Sequence, residues 1–132
     1  MEITVLGETE LVVTNSGAGL TVREEEGGRF GPLPMMAASL GTCTLSVLLS
    51  WAENADLDPS ELEVAVRWEY VDDPYRVGSY EQEIRWPGLP EDRFTAARRV
   101  ADQCTVHHTL EHPPEMTTRV AGDGEDGADG DE

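Results

Sequence analysis

Residues 31–52 read GPLPMMAASLGTCTLSVLLSWA, and the reading of this stretch decides the fold. No charged residue stands between Arg29 and Glu53, in a chain of which 27% is charged. Pro32 and Pro34 suit the opening of a helix and not its interior, so the pattern predicts a helix from about Met35 to Trp51. Its apolar residues keep to no single stripe: Met35, Met36, Leu40, Leu45, Val47, Leu48, Leu49 and Trp51 point all round the axis. A helix that is apolar on every side is buried on every side. A chain of 132 residues cannot easily surround about five helical turns alone, which points to a second subunit. A membrane span competes for the same stretch, since its length is nearly sufficient. However, Ser39, Gly41, Thr42, Thr44, Ser46 and Ser50 dilute the run and no basic cluster flanks it, so no membrane partner is expected.

Outward from this helix, the N-terminal side alternates. Residues 2–6, 9–14 and 19–24 read as short strands, with Ile3 and Val5, Leu11 and Val13, and Leu20 and Val22 on their inner faces. Gly7-Glu8 and Asn15-Ser16-Gly17 supply turns, so an antiparallel meander is expected. On the C-terminal side, residues 61–71 (ELEVAVRWEYV) place Leu62, Val64, Val66, Trp68 and Tyr70 on one face and charged residues on the other, the pattern of a half-buried strand. Asp72-Asp73-Pro74 turns the chain into a second alternating run, residues 79–86, with Tyr80, Ile84 and Trp86 inward. A second helix begins at Glu91, where Glu91 and Asp92 suit the helix dipole. Its apolar face is Phe94, Ala97, Ala101 and Cys104. Pro113-Pro114 stops further helix, and residues 115–120 (EMTTRV) are expected to form a last strand. The order β-β-β-α-β-β-α-β is an α+β pattern, an antiparallel sheet against buried helices.

The length suggests one domain. All 9 basic residues are Arg, against 27 acids, for a net charge of −18. The last twelve residues, AGDGEDGADGDE, hold six of those acids and four glycines, and are expected to be a disordered tail. The remaining body is itself strongly acidic and repels itself at low salt, whereas molar salt shortens the screening length to about 3 Å. The expected setting is therefore a salt-accumulating, halophilic cytosol. Nucleic acid is excluded as a partner by charge. Met1 leads straight into a strand-like run with no signal-peptide pattern, so a cytoplasmic location is expected. In such a reducing compartment two cysteines read as reactive, metal-binding or inert in preference to a structural disulfide.

Cys43 and Cys104 both fall on inward-facing positions and could meet. Two thiols within bridging distance can reduce a peroxide: one becomes a sulfenic acid and the other condenses with it to a disulfide. Either alone reads as a small buried hydrophobe. His107, His108 and His112 follow Cys104, and Cys104-x-x-His107 has the spacing of metal ligands, with Cys43 available as a third. No CxxC or HExxH pattern supports a metal, so neither metal nor cofactor is expected.

GPLPMMAASLGTCT resembles the first-cysteine motif of the OsmC/Ohr family of thiol-dependent peroxidases and OsmC-like proteins, and DQCTVHHTL (residues 102–110) resembles its second. The likeness covers roughly residues 2–120, which sets an OsmC-like domain at 1–120 and a tail at 121–132. The resemblance implies an intertwined homodimer with sheets wrapped around central helices. It also implies reduction of organic hydroperoxides with electrons from a thiol reductant, Cys43 as peroxidatic thiol and Cys104 as resolving thiol. The peroxidases of the family carry a Glu nine or ten residues before the first cysteine, which orients an Arg toward the thiolate; here Pro34 and Leu33 occupy those positions. A free thiol is mostly protonated at neutral pH, so a thiol nucleophile needs a cation nearby. Arg29, on the loop before the helix, is the candidate. The alternative is a non-catalytic OsmC-like protein that binds a small apolar ligand between its subunits.

Overall fold

A computed structural model describes residues 1–122. The expected tail lies almost wholly outside the described residues. The described residues form five strands and three α-helices: β1 (Glu2–Val5), β2 (Glu10–Thr14), β3 (Thr21–Glu24), α1 (Pro32–Asn54), β4 (Glu63–Val71), β5 (Arg76–Arg85), α2 (Phe94–Ala101) and α3 (Thr105–Glu111), with a 3-10 turn at Glu91–Arg93 where the second helix was expected to begin. The strands make one sheet in the order β3-β1-β2-β4-β5. All neighbours pair antiparallel except β1 and β3.

That exception corrects the expected meander. The loop between β2 and β3, with Gly17 and Gly19 at positive φ, carries the chain across the start of β1. β3 then runs beside β1 in the same direction, in register from Glu2 with Thr21 to Val5 with Glu24. At this edge β3 is exposed throughout. Leu20 and Val22 therefore point to solvent and not to the core, because among the described residues no helix packs over the edge strand.

The expected inner faces of β1, β2 and β4 are buried, although Val12 and Ala65 between them are buried too. Ile3, Val5, Leu11, Val13, Leu62, Val64, Val66 and Trp68 are buried in one core with the inner face of α1, and Tyr70 is partly buried against it. The helix starts at Pro32, three residues earlier than expected, since prolines at the first positions lose only N–H groups that have no partner in a helix. Gly41 sets how closely the helix approaches the sheet. A Cβ there would stand 2.9 Å from Val13 Cγ2 and 3.0 Å from Val66 Cγ2.

Within one chain α1 is buried on one face only. Ala37, Ala38, Leu40, Gly41, Thr44, Leu45, Leu48 and Ala52 are buried. Met35 and Met36 are 50% and 41% exposed, and Val47, Leu49 and Trp51 are partly covered. By length and composition α1 could cross a membrane, but its buried face packs on β2 and β4 as a core helix.

Two further expectations are corrected at the C-terminal end. Phe94 is half-exposed, because as the first residue of α2 it precedes the turn that meets α1; Ala97, Ala101 and Cys104 are buried as expected. Residues 115–120 form no strand: all six are exposed after Pro113-Pro114 leads the chain away from the sheet. The chain instead makes the short α3 directly after Cys104, with Val106 and Leu110 packed against the core.

Candidate functional site

The two cysteines come together where α1 meets the start of α3. Cys43 lies in the middle of α1 and is half-buried, while Cys104 is fully buried; both are free thiols. Ala97 and Ala101 on α2 are small enough to let the α2–α3 junction settle on α1. Cys104 has extended backbone and caps α3, its Sγ accepting the backbone N–H of His107 at 3.4 Å. This is the role that Ser, Thr or Asp commonly fills at a helix start.

Burial pushes the Cys104 thiol up from its ordinary pKa. The neighbouring Cys43 thiol, and its charge when ionised, add to the rise. The His107 N–H acts in the opposite direction. Each effect follows from whether it favours the neutral thiol or the thiolate. The structure thus brings Cys43 and Cys104 into one interacting pair.

Arg29 stands apart from them. It is exposed on the loop before α1 and lines a hollow of about 510 Å³ with Glu8, Gly28, Pro32 and Tyr70, which neither cysteine lines. Eleven helical steps from Pro32 to Cys43, about 16 Å of rise, separate that end from the thiol. The histidines are engaged otherwise. His107 Nε2 lies 3.1 Å from Glu111 and its Nδ1 3.9 Å from Asp102, and His112 Nδ1 meets the His108 carbonyl at 3.0 Å. Among the described residues no three His, Cys, Asp or Glu side chains converge as a metal site would need.

A second hollow, of about 780 Å³, runs along the open side of α1 between β5 and α3. Leu33, Met36 and Leu40 form its apolar wall and Tyr80, Gln82 and His107 its polar one. Among the described residues Tyr80 Oη and Gln82 Oε1, both buried, find no hydrogen-bond partner.

A histidine bonding near Cys104 is legible in the sequence, but Thr44, buried on α1 with no hydrogen-bond partner for its hydroxyl among the described residues, is not singled out there. Thr44 shares the face of Gly41, Leu45 and Leu48 by helical spacing, so its burial could have been read. The cap at Cys104 could not, because cysteine is not a usual cap residue.

The fold is that of solved structures at low sequence identity. One is an OsmC-like hydroperoxide resistance protein from Jannaschia sp. CCS1, with TM-score 0.56, 24% identity, and coverage of 70% of this chain and 68% of that one. Another, described as an osmotic stress induced and detoxification response protein from Psychrobacter arcticus 273-4, gives TM-score 0.57 at 19% identity, covering 81% and 84%. No curated protein matches the sequence. The family model for OsmC-like protein matches residues 25–119, a span that holds α1, both cysteines and the two longest strands, and the chain belongs to that family.

Proposed function

We propose that the protein is an OsmC-like thiol-dependent peroxidase that reduces organic hydroperoxides through Cys43 and Cys104 and serves in the oxidative stress response. The observation that carries this reading is the meeting of a half-buried and a fully buried thiol at one helix junction. The name of the Jannaschia relative, a hydroperoxide resistance protein, supports the same substrate class. The Cys43 thiolate attacks the terminal peroxide oxygen. The O–O bond breaks, the alkoxide takes a proton to become an alcohol, and Cys43 is left as a sulfenic acid. Cys104 then attacks the Cys43 sulfur and expels hydroxide, forming the disulfide and water. A thiol reductant returns both cysteines to thiols.

The proposed working unit is a homodimer. The support is the open side of α1, where Met35 and Met36 stand exposed in a helix with no charged side chain before Glu53. Arg29 is the proposed activating cation. Its distance along α1 from its own Cys43 favours delivery across the subunit boundary. The proposed setting is a high-salt cytoplasm, supported by the net charge of −18 and the absence of Lys.

A second reading, a non-catalytic protein binding a small apolar ligand, is favoured by the hollow beside α1 with its two unpartnered polar atoms. The two separate on a free-thiol count and intact mass in molar KCl, before and after one equivalent of an organic hydroperoxide. Loss of both thiols within seconds, with a mass decrease of about two daltons, is expected of the peroxidase. Two intact thiols after minutes would sink that reading in favour of ligand binding.

A further inference from the structure

Helix α3 is held by little. It has seven residues, none of them buried, and only Val106 and Leu110 pack against the core. A helix of this length is not stable by its backbone alone. The His107 ring lies 3.1 Å from Glu111 one turn on, a largely exposed pairing that adds little. What starts the helix is Cys104. Its backbone is extended, its Sγ accepts the His107 N–H at 3.4 Å, and its carbonyl accepts the His108 N–H at 3.1 Å. Cys43 packs from α1 against the core cluster that contains Cys104, and both thiols are free. The atom that caps α3 is therefore the atom that the proposed reaction consumes.

We propose that Cys104 is a redox-sensitive cap: α3 is closed while Cys104 is reduced and loosens when Cys104 is joined to Cys43. The change is one of geometry. Two unbonded sulfurs in contact stand more than an ångström further apart than the bond length of about 2.05 Å in a disulfide. Closing that gap draws Cys104 Sγ toward α1 and away from the α3 backbone. The disulfide dihedral, about 90°, then fixes where its lone pairs point. An N–H···S bond already 3.4 Å long has little slack to follow. Helix α3 is left with its carbonyl bond and two apolar contacts.

The chemistry balances in both directions. On oxidation two S–H bonds are lost and one S–S bond forms, while the hydroperoxide takes up two electrons and two protons and leaves as an alcohol and water. On reduction a thiolate of the reductant attacks the Cys43 sulfur, the S–S bond breaks, and Cys104 departs as a thiolate that the His107 N–H caps again. A bond to the charged sulfur is stronger than one to a neutral sulfur, so closure of α3 favours release of Cys104. Because His107, Leu110 and Glu111 line the hollow beside α1, the state of the buried sulfur is read at the surface there. The proposal rests on the Cys43–Cys104 couple of the peroxidase reading, and the experiment separates the two.

The test is hydrogen exchange at the α3 amides, read by mass spectrometry on the full chain in molar KCl. One sample is oxidised with one equivalent of an organic hydroperoxide. Another is oxidised with a diazenedicarboxamide, which takes two electrons and two protons from a thiol pair without peroxide chemistry. In the oxidised chain α3 should exchange about fivefold faster than in the reduced chain, the loss of one cap bond, and reduction should restore the slower rate. Cys104→Ala should show the faster rate with no oxidant. Cys104→Ser, whose hydroxyl is an ordinary cap, should keep the slower rate with or without oxidant. Equal α3 exchange in the oxidised and reduced chains overturns the proposal, as does slow exchange in Cys104→Ala or failure of both oxidants to form the disulfide. Should Cys104→Ala not fold, the oxidised and reduced parent chains still decide. A disulfide that forms with the diazene and not with the hydroperoxide counts against the peroxidase reading alone.

Discussion

Gly41→Ala sets two effects of opposite sign against each other. An interior helix position gains about 0.8–1.0 kcal/mol when glycine becomes alanine. Here the added methyl would stand 2.9 Å from Val13 Cγ2 and 3.0 Å from Val66 Cγ2. Neither neighbour is the free end of a flexible chain. Both are β-branched, 0% exposed and fixed on paired strands β2 and β4. Relief therefore requires α1 to rise from the sheet, loosening Leu45 and Leu48 as well. Overpacking of this kind costs about 1–3 kcal/mol, and two clashes on rigid strands place the site in the upper half of that range. The expected net is a loss of about 1 kcal/mol or more, or about 4 °C in Tm for a chain this size. Urea denaturation at fixed protein concentration in molar KCl measures it. A Val66→Ala partner should cushion the change, so that the double variant is more stable than the two single losses predict. If Gly41→Ala were as stable as the parent or more so, helix propensity would outweigh packing and the close approach of α1 to the sheet would be refuted.

Truncating Leu45, fully buried on the sheet-facing side of α1, to alanine should cost about 2–5 kcal/mol by the same denaturation assay. The raised Cys104 pKa has a stability consequence of fixed sign. Above the ordinary thiol pKa the unfolded chain loses its Cys104 proton before the folded chain does, so stability is present below that pH and falls as pH climbs toward the folded value. The urea midpoint should drop through this alkaline window, and Cys104→Ala should flatten the drop. Arg23, Arg67 and Arg85 are each shared by two glutamates at the surface, so even the paired charges stay net negative. Screening those bridges loses at most about 1 kcal/mol each, less than relief of the wider repulsion, so Tm should rise between low and molar KCl. Arg29→Gln should slow peroxide oxidation of Cys43 by tenfold or more without altering the melting temperature, as read by quenched-flow thiol counting.

Much of the fold was legible because it is written in period-two and all-apolar patterns. Val64, Val66 and Trp68 alternate without interruption, and β4 duly sits near the centre of the sheet with one face under α1. Leu20 and Val22 alternate in the same way, yet β3 lies on the edge. Alternation states which residues share a face, and only topology states whether anything covers it. The parallel pairing of β3 with β1 depends on the path of a glycine-bearing loop, which leaves no periodic trace. Residues 115–120 show the same limit: a β-favouring composition makes no strand where the chain runs away from the sheet. Helix α3 was overlooked because seven residues with two adjacent histidines hold only Val106 and Leu110 as apolar signals. At the site, the meeting of Cys43 and Cys104 followed from helical phase. The unpartnered state of Thr44 did not, since its four hydroxyl-bearing helix neighbours look the same in sequence.

The two thiols differ in ways that would order their use in the proposed reaction. Cys43 is half-buried at the border of the open side of α1, whereas Cys104 is sealed at 0% exposure, so a hydroperoxide with an organic tail can approach only the first. Charge adds a second constraint. A thiolate at Cys43 raises the Cys104 pKa, so the pair resists carrying two negative charges and Cys104 keeps its proton while Cys43 is the nucleophile. Oxidation removes that obstacle, because a sulfenic acid formed from the thiolate is neutral. Cys104 then becomes easier to ionise at the moment its attack is useful, with the His107 N–H already in place on its sulfur. The same burial that makes Cys104 a poor first nucleophile keeps it from reacting with peroxide on its own. An exposed second cysteine would lack both restraints and would be open to overoxidation in parallel with the first.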